Sequence, residues 1–331
     1  MPVMSRAIRM QSHGSADVLE WVDVPITEPG PKEVRVRHHA LGINYIDIYF
    51  RTGLYPQTLP GGLGQEASGV VEAVGTEVQH LKVGDRVAYA TNLPGSYAEH
   101  RTLDAAHVCV LPPDISFETG AAMMLKGLTA QYLLLKCKPV EGLQAGDQVL
   151  FHAAAGGVGL LACQWARALG YELIGTAGSD DKCELAQQFG AAHTINYRTQ
   201  NFVEEVKRIT QGQGVKVVYD SVGKDTWEGS LDCLRPFGLM VSFGNSSGAV
   251  PPFAPGVLGP KGSLYVTRQT LFTHLRTRTS TQDMADALFD VVRKGQVHIP
   301  ITRTYKMEQL REAHVALESR QTTGCLVVTL D

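Results

Sequence analysis

The segment Gln148-Val149-Leu150-Phe151-His152-Ala153-Ala154-Ala155-Gly156-Gly157-Val158-Gly159-Leu160-Leu161, continuing to Leu169, constrains the fold of this chain more than any other. An apolar run, a glycine-rich turn and an amphipathic helical pattern follow one another without a linker, the order of a strand feeding directly into a helix. With Ala154 in the first small-residue position, Gly156 and Gly159 fall at the remaining positions of a GxGxxG-type loop, and Gly157 adds backbone freedom. Such a loop, here Ala155 to Val158, brings backbone close to a pyrophosphate at a helix amino terminus, where unsatisfied N–H groups and the helix dipole favour anions. Gly159 permits tight packing of the helix on its sheet. A turn that binds nothing would use the same glycines; the repeated βα pattern around it selects the dinucleotide reading.

That pattern runs as strand 148–153, helix 158–169, strand 172–177, helix 181–189, the run 193–196, helix 202–210 and strand 215–220. A helix near 226–234 and strands at 239–243 and 263–267 complete the elements of an α/β, doubly wound parallel sheet. The stretch before it is different. Short alternating runs (RAIRM, LEWVDVP, EVRVRHHALGI, SGVVEAVG, DRVAYA, SYAEHRTLD, HVCVLP) separated by turn residues predict a mostly β domain. Ser116 is placed to cap a helix through Leu125, with a second helix, 128–135, expected after Gly127. Helices are expected at 284–293 and 307–317, then an apolar strand at 325–330 that packs back on the first domain. A length of 331 residues exceeds one ordinary core. The expected domains are 1–128 with 270–331, and 129–269.

Acidic and basic residues nearly balance, 33 against 30, so nothing electrostatic points to nucleic acid or an anionic membrane as partner. His274, Arg276 and Arg278 read as a solvated surface segment. The stretch around Arg6 and Arg9 lacks a secretory pattern, and no apolar run approaches the roughly 20 residues of a membrane span, so a cytoplasmic, soluble protein is expected. The six cysteines show no CxxC spacing and are expected mainly in the core.

After the second βα strand comes Gly178-Ser179-Asp180-Asp181-Lys182. An acidic group there would bind the adenosine ribose hydroxyls and repel a 2'-phosphate, whereas Ser179 and Lys182 would donate to that phosphate. Asp180 and Asp181 could instead serve the following helix amino terminus. The balance favours NADPH and leaves NADH open.

GINYIDIYFRTGLYP, GLGQEASGVVEAVG, LKGLTAQYLL, AAAGGVGLLACQWA and YDSVG, in one consistent order along nearly all the chain, resemble the NADPH:quinone oxidoreductase (zeta-crystallin-like) family of the medium-chain dehydrogenases/reductases. The resemblance implies a GroES-like β domain, completed by the carboxy-terminal segment, and a Rossmann domain. Where zinc relatives carry Cys-His-x-Asp and Gly-His-Glu, this chain has Asn44-Tyr45-Ile46-Asp47 and Gly64-Gln65-Glu66, poor zinc ligands, so no metal is expected. By the same resemblance Asn44, Asp47 and Tyr49 lie beside the nicotinamide, and Tyr55 and Tyr132 line the cofactor or substrate cleft. Gly178, Ser179, Lys182, Tyr197 and Arg320 belong to the 2'-phosphate region, Ser221 lies near the strand ends, and Phe243, Gly244, Asn245 and Ser246 run along the cofactor. Gln269 to Leu271 faces the carboxamide or simply connects domains.

The implied reaction is direct transfer of hydride from NADPH to a quinone in the interdomain cleft, with no metal and no assigned general acid. One-electron products remain open within the family. So does reduction of the activated double bond of an enone or alkenal, and so does an RNA-binding or structural, crystallin-like role. A homodimer through edge strands at 238–268 is implied as well.

Overall fold

Val149, Leu150 and Phe151 have no polar face to offer water, and in the computed structural model, which describes residues 3–330, all three are buried in the strand Gln148–Phe151. This strand sits inside a six-stranded sheet. Glu172–Ala177 and then His193–Asn196 lie on one side of it, and Val215–Asp220, Leu234–Ser242 and Tyr265–Thr267 on the other, every neighbouring pair parallel. Numbered along the chain, the spatial order is 3-2-1-4-5-6, so the winding reverses between Gln148–Phe151 and Val215–Asp220. The helices Gly157–Ala168, Asp180–Gln188, Phe202–Ile209 and Trp227–Asp232 connect successive strands. Leu150, Ile174, Ile195, Val218 and Met240 pack with Trp227 and Leu231, and the alternate residues Val149, Leu173, Val217 and Val241 are buried as well, as the apolar strands of a parallel sheet require.

The other compact unit is built on the strand Glu33–Ile43. It pairs antiparallel with Glu66–Val74, with His100–Asp104 and with Cys325–Thr329. Arg86–Ala90 and Val108–Val110 extend the sheet on one side, and Ile301–Lys306 lies parallel to Cys325–Thr329 on the other. A two-stranded hairpin, Met4–Arg9 with Glu20–Pro25, accompanies it. Chain contacts assign residues 1–128, 274–293 and 299–331 to this unit, and 129–273 with 294–298 to the Rossmann-type unit. Residues 270–273 and 294–298 therefore depart from the division expected from the sequence. All six cysteines are buried thiols, and burial pushes Cys109, Cys137, Cys163, Cys233 and Cys325 up to about 12, so they pack as small apolar groups.

One local expectation is corrected, and two elements are added to those expected. Gly127 does not separate two helices; it lies inside one, Phe117–Lys136, at a point where a Cβ would come within 2.7 Å of Leu288 Cδ1. This glycine gives way to a packed side chain rather than to a turn. A helix not anticipated, Tyr45–Thr52, begins after Asn44, whose amide donates to the Asp47 carboxylate, and ends at Gly53 in the left-handed region. Strand Ile301–Lys306 was also unread.

Helix Tyr45–Thr52 is anchored by Arg51, a fully buried guanidinium. Its Nε donates to the Gly14 carbonyl at 3.1 Å, Nη2 donates to Glu318 Oε2 at 2.6 Å, and Nη1 donates to His314 Nδ1 at 3.2 Å. Burial, with Arg51 beside it, pushes His314 down to about 3, so the imidazole is neutral and can accept. Arg51→Met should cost about 3 kcal/mol in urea unfolding because it orphans buried acceptors. Glu318→Gln, at a half-exposed carboxylate, should cost less than about 1 kcal/mol.

Candidate active site

At the reversal of the sheet, two loops emerge side by side from the carboxyl ends of Gln148–Phe151 and Val215–Asp220. In the first, Ala153 takes a left-handed φ of 57° and Gly156 returns to extended backbone before the helix starts at Gly157. A Cβ on Gly159 would lie 2.5 Å from the carbonyl oxygens of both Ala153 and Ala154, so the helix reaches this distance from the loop only with glycine there. A Cβ on Gly156 would meet one atom, the Ala153 oxygen at 3.2 Å, which leaves the amide rim approachable. Ala155 is buried beneath this rim, and Val158 is half-buried in the first helical turn.

The second loop hangs from one buried carboxylate. Asp220 Oδ1 accepts from the amides of Val222 and Gly223 at 2.7 and 3.0 Å, and Oδ2 accepts from the hydroxyls of Thr226 and Ser230 at 2.7 and 2.9 Å. Ser230 also meets His152 Nε2 at 2.9 Å, and His152 Nδ1 meets Thr176 Oγ1 at 2.9 Å, so the same network ties three strand ends together. Burial lowers the His152 pKa. Next door, the Phe243 amide donates to Asp220 O and the Ser246 amide to Ser221 O, while Gly244 lies where a Cβ would sit 2.5 Å from that same Ser221 oxygen. Ser221, Phe243, Gly244 and Ser246 are thereby brought together, and Asn245 is held by Arg268, which also donates to Ser242 Oγ at 2.7 Å and Gly244 O at 3.1 Å. Tyr132 is buried, its hydroxyl 3.4 Å from the Gln269 carbonyl, and Leu271 is buried at the start of a short helix, Leu271–His274.

At the end of Glu172–Ala177, Ser179 caps helix Asp180–Gln188 by accepting from the Lys182 amide. Asp180 is engaged by Asn196, whose Nδ2 donates to its Oδ1 at 2.7 Å. This favours the helix-terminus role for Asp180. The position of a Cβ on Gly178 would be 2.6 Å from the Tyr197 hydroxyl. Burial and the charge of Arg198 together hold Lys182 below the usual lysine range, as befits two cations gathered at one helix terminus. Gly178, Ser179, Lys182 and Tyr197 therefore meet. Arg320 belongs to the other unit, exposed just past helix Leu310–Glu318 with φ 58°.

In the β unit, Asn44 and Asp47 are buried at the start of helix Tyr45–Thr52. Tyr49 packs against Tyr45 and Tyr55, ring centroids 5.4 and 5.0 Å away, and the Tyr55 amide donates to the Tyr49 carbonyl. Asn44 Nδ2 donates to Glu66 Oε1 at 2.9 Å, and Lys126 Nζ donates to the same oxygen at 2.6 Å. Gln65 Nε2 donates to the Asn92 carbonyl. Among the described residues no group of three or more His, Cys, Asp or Glu could hold a metal, and an ammonium already neutralises Glu66, so these side chains do not fit a zinc ion.

Residues 30–140 match the model of the alcohol dehydrogenase GroES-like domain, and residues 157–297 the model of the zinc-binding dehydrogenases. The quinone oxidoreductase of Pseudomonas aeruginosa is 52% identical over 326 residues, 98% of this chain and 99% of that one. The crystal structure of the Escherichia coli quinone oxidoreductase complexed with NADPH superposes with a TM-score of 0.95 at 47% identity, covering 98% of this chain and 100% of that one. The chain belongs to the quinone oxidoreductase family. The 2-haloacrylate reductase of a Burkholderia species is 40% identical over 98% of this chain and 99% of its own.

For a quinone oxidoreductase read from sequence, several residues that build the site went unnoticed: Asp220, Arg198, Arg268, Lys126 and Tyr97; Glu66 was named only beside the zinc positions. Asp220 ends an apolar strand just before Ser221, a usable signal; Tyr97 and Lys126 gave none, since their partners are distant in sequence. Tyr97 donates its hydroxyl proton to Asp47 Oδ2 at 2.6 Å.

Two measurements follow from this geometry. Gly159→Ala should lower stability by about 1–3 kcal/mol and weaken dinucleotide binding, seen in thermal melts and a fluorescence titration, because backbone cannot yield to the added methyl. Burial pushes Asp47 up to about 7, against the opposing pull of Tyr97 and Asn44. Between about pH 4, where an unfolded Asp titrates, and pH 7, the native chain keeps a proton that the unfolded chain has lost. That contribution to stability is present at low pH and lost as pH rises through about 7. Asp47→Asn cannot titrate, so urea unfolding at pH 5 and pH 8 should show the unmodified protein losing more stability across the interval than the variant; equal losses would contradict this.

Proposed function

We propose that this chain is an NADPH-dependent quinone reductase that works without a metal. The observation that carries the reading is the adenosine end of the Rossmann-type unit, where Asp180 is engaged by Asn196 while Ser179, Lys182 and Tyr197, with Arg198 nearby, gather at one helix terminus. A 2'-phosphate suits that set far better than a bare ribose does. When bound, NADPH supplies a hydride from C4 of its dihydronicotinamide.

The chain's own residues do the rest. The rim from Ala155 through Gly156, Gly157 and Val158 to Gly159 holds the pyrophosphate, and Gly178, Ser179, Lys182, Tyr197 and Arg320 hold the 2'-phosphate. Ser221, Phe243, Gly244, Asn245, Ser246, Tyr132 and Leu271 run along the remainder of the dinucleotide. Asn44, Asp47, Tyr49 and Tyr55 position the nicotinamide and the acceptor. The packed rings of Tyr49 and Tyr55, tilted 56° to each other, offer an aromatic surface that suits an aromatic-forming acceptor and excludes water. Because a reduced quinone is aromatic, the reaction needs positioning more than electrophilic help, consistent with Asn44, Gln65 and Glu66 all being engaged by protein groups.

The strand Tyr265–Thr267 has no further neighbour on its outer side among the described residues, and a homodimer along this edge is part of the proposal. No helix among the described residues is long and apolar enough to cross a membrane, in keeping with the proposed cytoplasmic location. A second reading, hydride addition to an activated carbon–carbon double bond, is favoured by the 40% identity to a 2-haloacrylate reductase.

Chelator-treated protein should oxidise NADPH faster than NADH with ortho- and para-quinones, and faster with quinones than with an enone. Lys182→Ala should raise KM for NADPH about tenfold, about 1.4 kcal/mol, while changing KM for NADH little. Turnover of the enone alone would replace the acceptor. An NADH preference would overturn the phosphate assignment, and cofactor binding without turnover would point to the structural or RNA-binding role.

A further inference from the structure

Glu66 has no exposed surface and both of its oxygens are occupied. Oε2 accepts from the Leu125 amide at 2.5 Å, and Oε1 accepts from Lys126 Nζ at 2.6 Å and from Asn44 Nδ2 at 2.9 Å. Space for this carboxylate depends on Gly42: a Cβ at that position would lie 2.2 Å from Glu66 Oε1 and 2.2 Å from the Ala121 carbonyl oxygen. Lys126 is buried too, and its pKa is raised despite burial, chiefly by the Glu66 charge. The pair is therefore a fixed ionic post set into the β unit.

An ionised carboxylate accepts and never donates, whereas an asparagine amide can present either its oxygen or its nitrogen after a half-turn of the side chain. Against Glu66 only one of those two orientations makes a hydrogen bond. The nitrogen of Asn44 is turned to Oε1, and its oxygen, on the opposite branch of the amide, faces the Asp47 backbone N–H in a capping box and keeps a second lone pair. The Asn44 backbone is fixed independently, its N–H donating to Asp47 Oδ2 at 2.9 Å.

We propose that Glu66, steadied by Lys126, is a positioning residue that selects the Asn44 rotamer whose amide oxygen is offered to the hydroxyl or carboxamide N–H donors at the nicotinamide end of NADPH. This rests on the placement of Asn44 given under Proposed function. Holding the amide before NADPH arrives removes an ordering cost from binding, so the effect of Glu66 passes through Asn44.

A double-mutant cycle tests this directly, with NADPH affinity measured by fluorescence titration and kcat and KM measured alongside. Glu66→Asp keeps a negative charge near Lys126 but withdraws it by one methylene. Glu66→Gln combined with Lys126→Met removes both charges at nearly constant volume and carries the same cycle if Glu66→Asp does not fold. Asn44→Ala should weaken NADPH binding about tenfold in the unmodified protein and less than about twofold in either background, each of which is itself weakened about tenfold. Losses that multiply independently in a folded background overturn the inference and leave the Asn44 placement standing. An Asn44→Ala variant that binds NADPH unchanged overturns the placement and the inference together.

Discussion

A carboxylate removed from water has to be surrounded by donors, and the cost of failing to do so, several kcal/mol, fixes the loops that matter in both units of this protein. Asp220 takes two backbone amides and two hydroxyls, which sets the turn at Ser221–Gly223 and links it to His152 and Thr176 on neighbouring strands. Glu66 takes one amide, one ammonium and one side-chain amide, which sets Asn44 at the start of helix Tyr45–Thr52. Neither carboxylate needs to touch a ligand to shape the surface that does.

On this frame the glycines divide by task. Gly159 and Gly244 are where backbone approaches backbone too closely for a Cβ, whereas Gly156 faces a more open rim. Gly156 and Gly159 follow the strand at which the winding reverses, and Gly244 follows Leu234–Ser242, one strand further along the sheet. In the β unit the corresponding device is aromatic: Tyr45, Tyr49 and Tyr55 pack into one wall on and beside a single short helix.

The parallel sheet was largely legible in the sequence because its inner strands are buried and read as apolar runs; 172–177 and 215–220 lie where the pattern placed them, and the short polar run 193–196 was placed by the βα alternation around it. Family membership was legible from motifs in order, and the comparisons agree. Helix Tyr45–Thr52 was not legible because YIDIYF alternates like a strand and the helix has only eight residues. Strand Ile301–Lys306 exposes three consecutive residues, so its alternation is weak. Gly127 looked like punctuation because nothing local reveals Leu288 packed against it. Arg51 and His314 stand 263 residues apart, and Tyr97 and Asp47 stand 50 apart, so the hydrogen bonds that settle their roles belong to the tertiary fold alone. Glu66 was noticed only as a replaced zinc-site neighbour, and its three donors come from Asn44, Leu125 and Lys126.

The central claim is that the bound dihydronicotinamide passes hydride directly to a quinone with no metal between them. A stopped-flow single turnover of metal-free protein, comparing NADPH with NADPH deuterated at the transferred C4 position, tests it most directly. A primary isotope effect on loss of the dihydronicotinamide absorbance, unchanged by added zinc or chelator, is the predicted result. Complete loss of reaction in chelator that zinc restores, or a bound NADPH that no quinone oxidises, would contradict it.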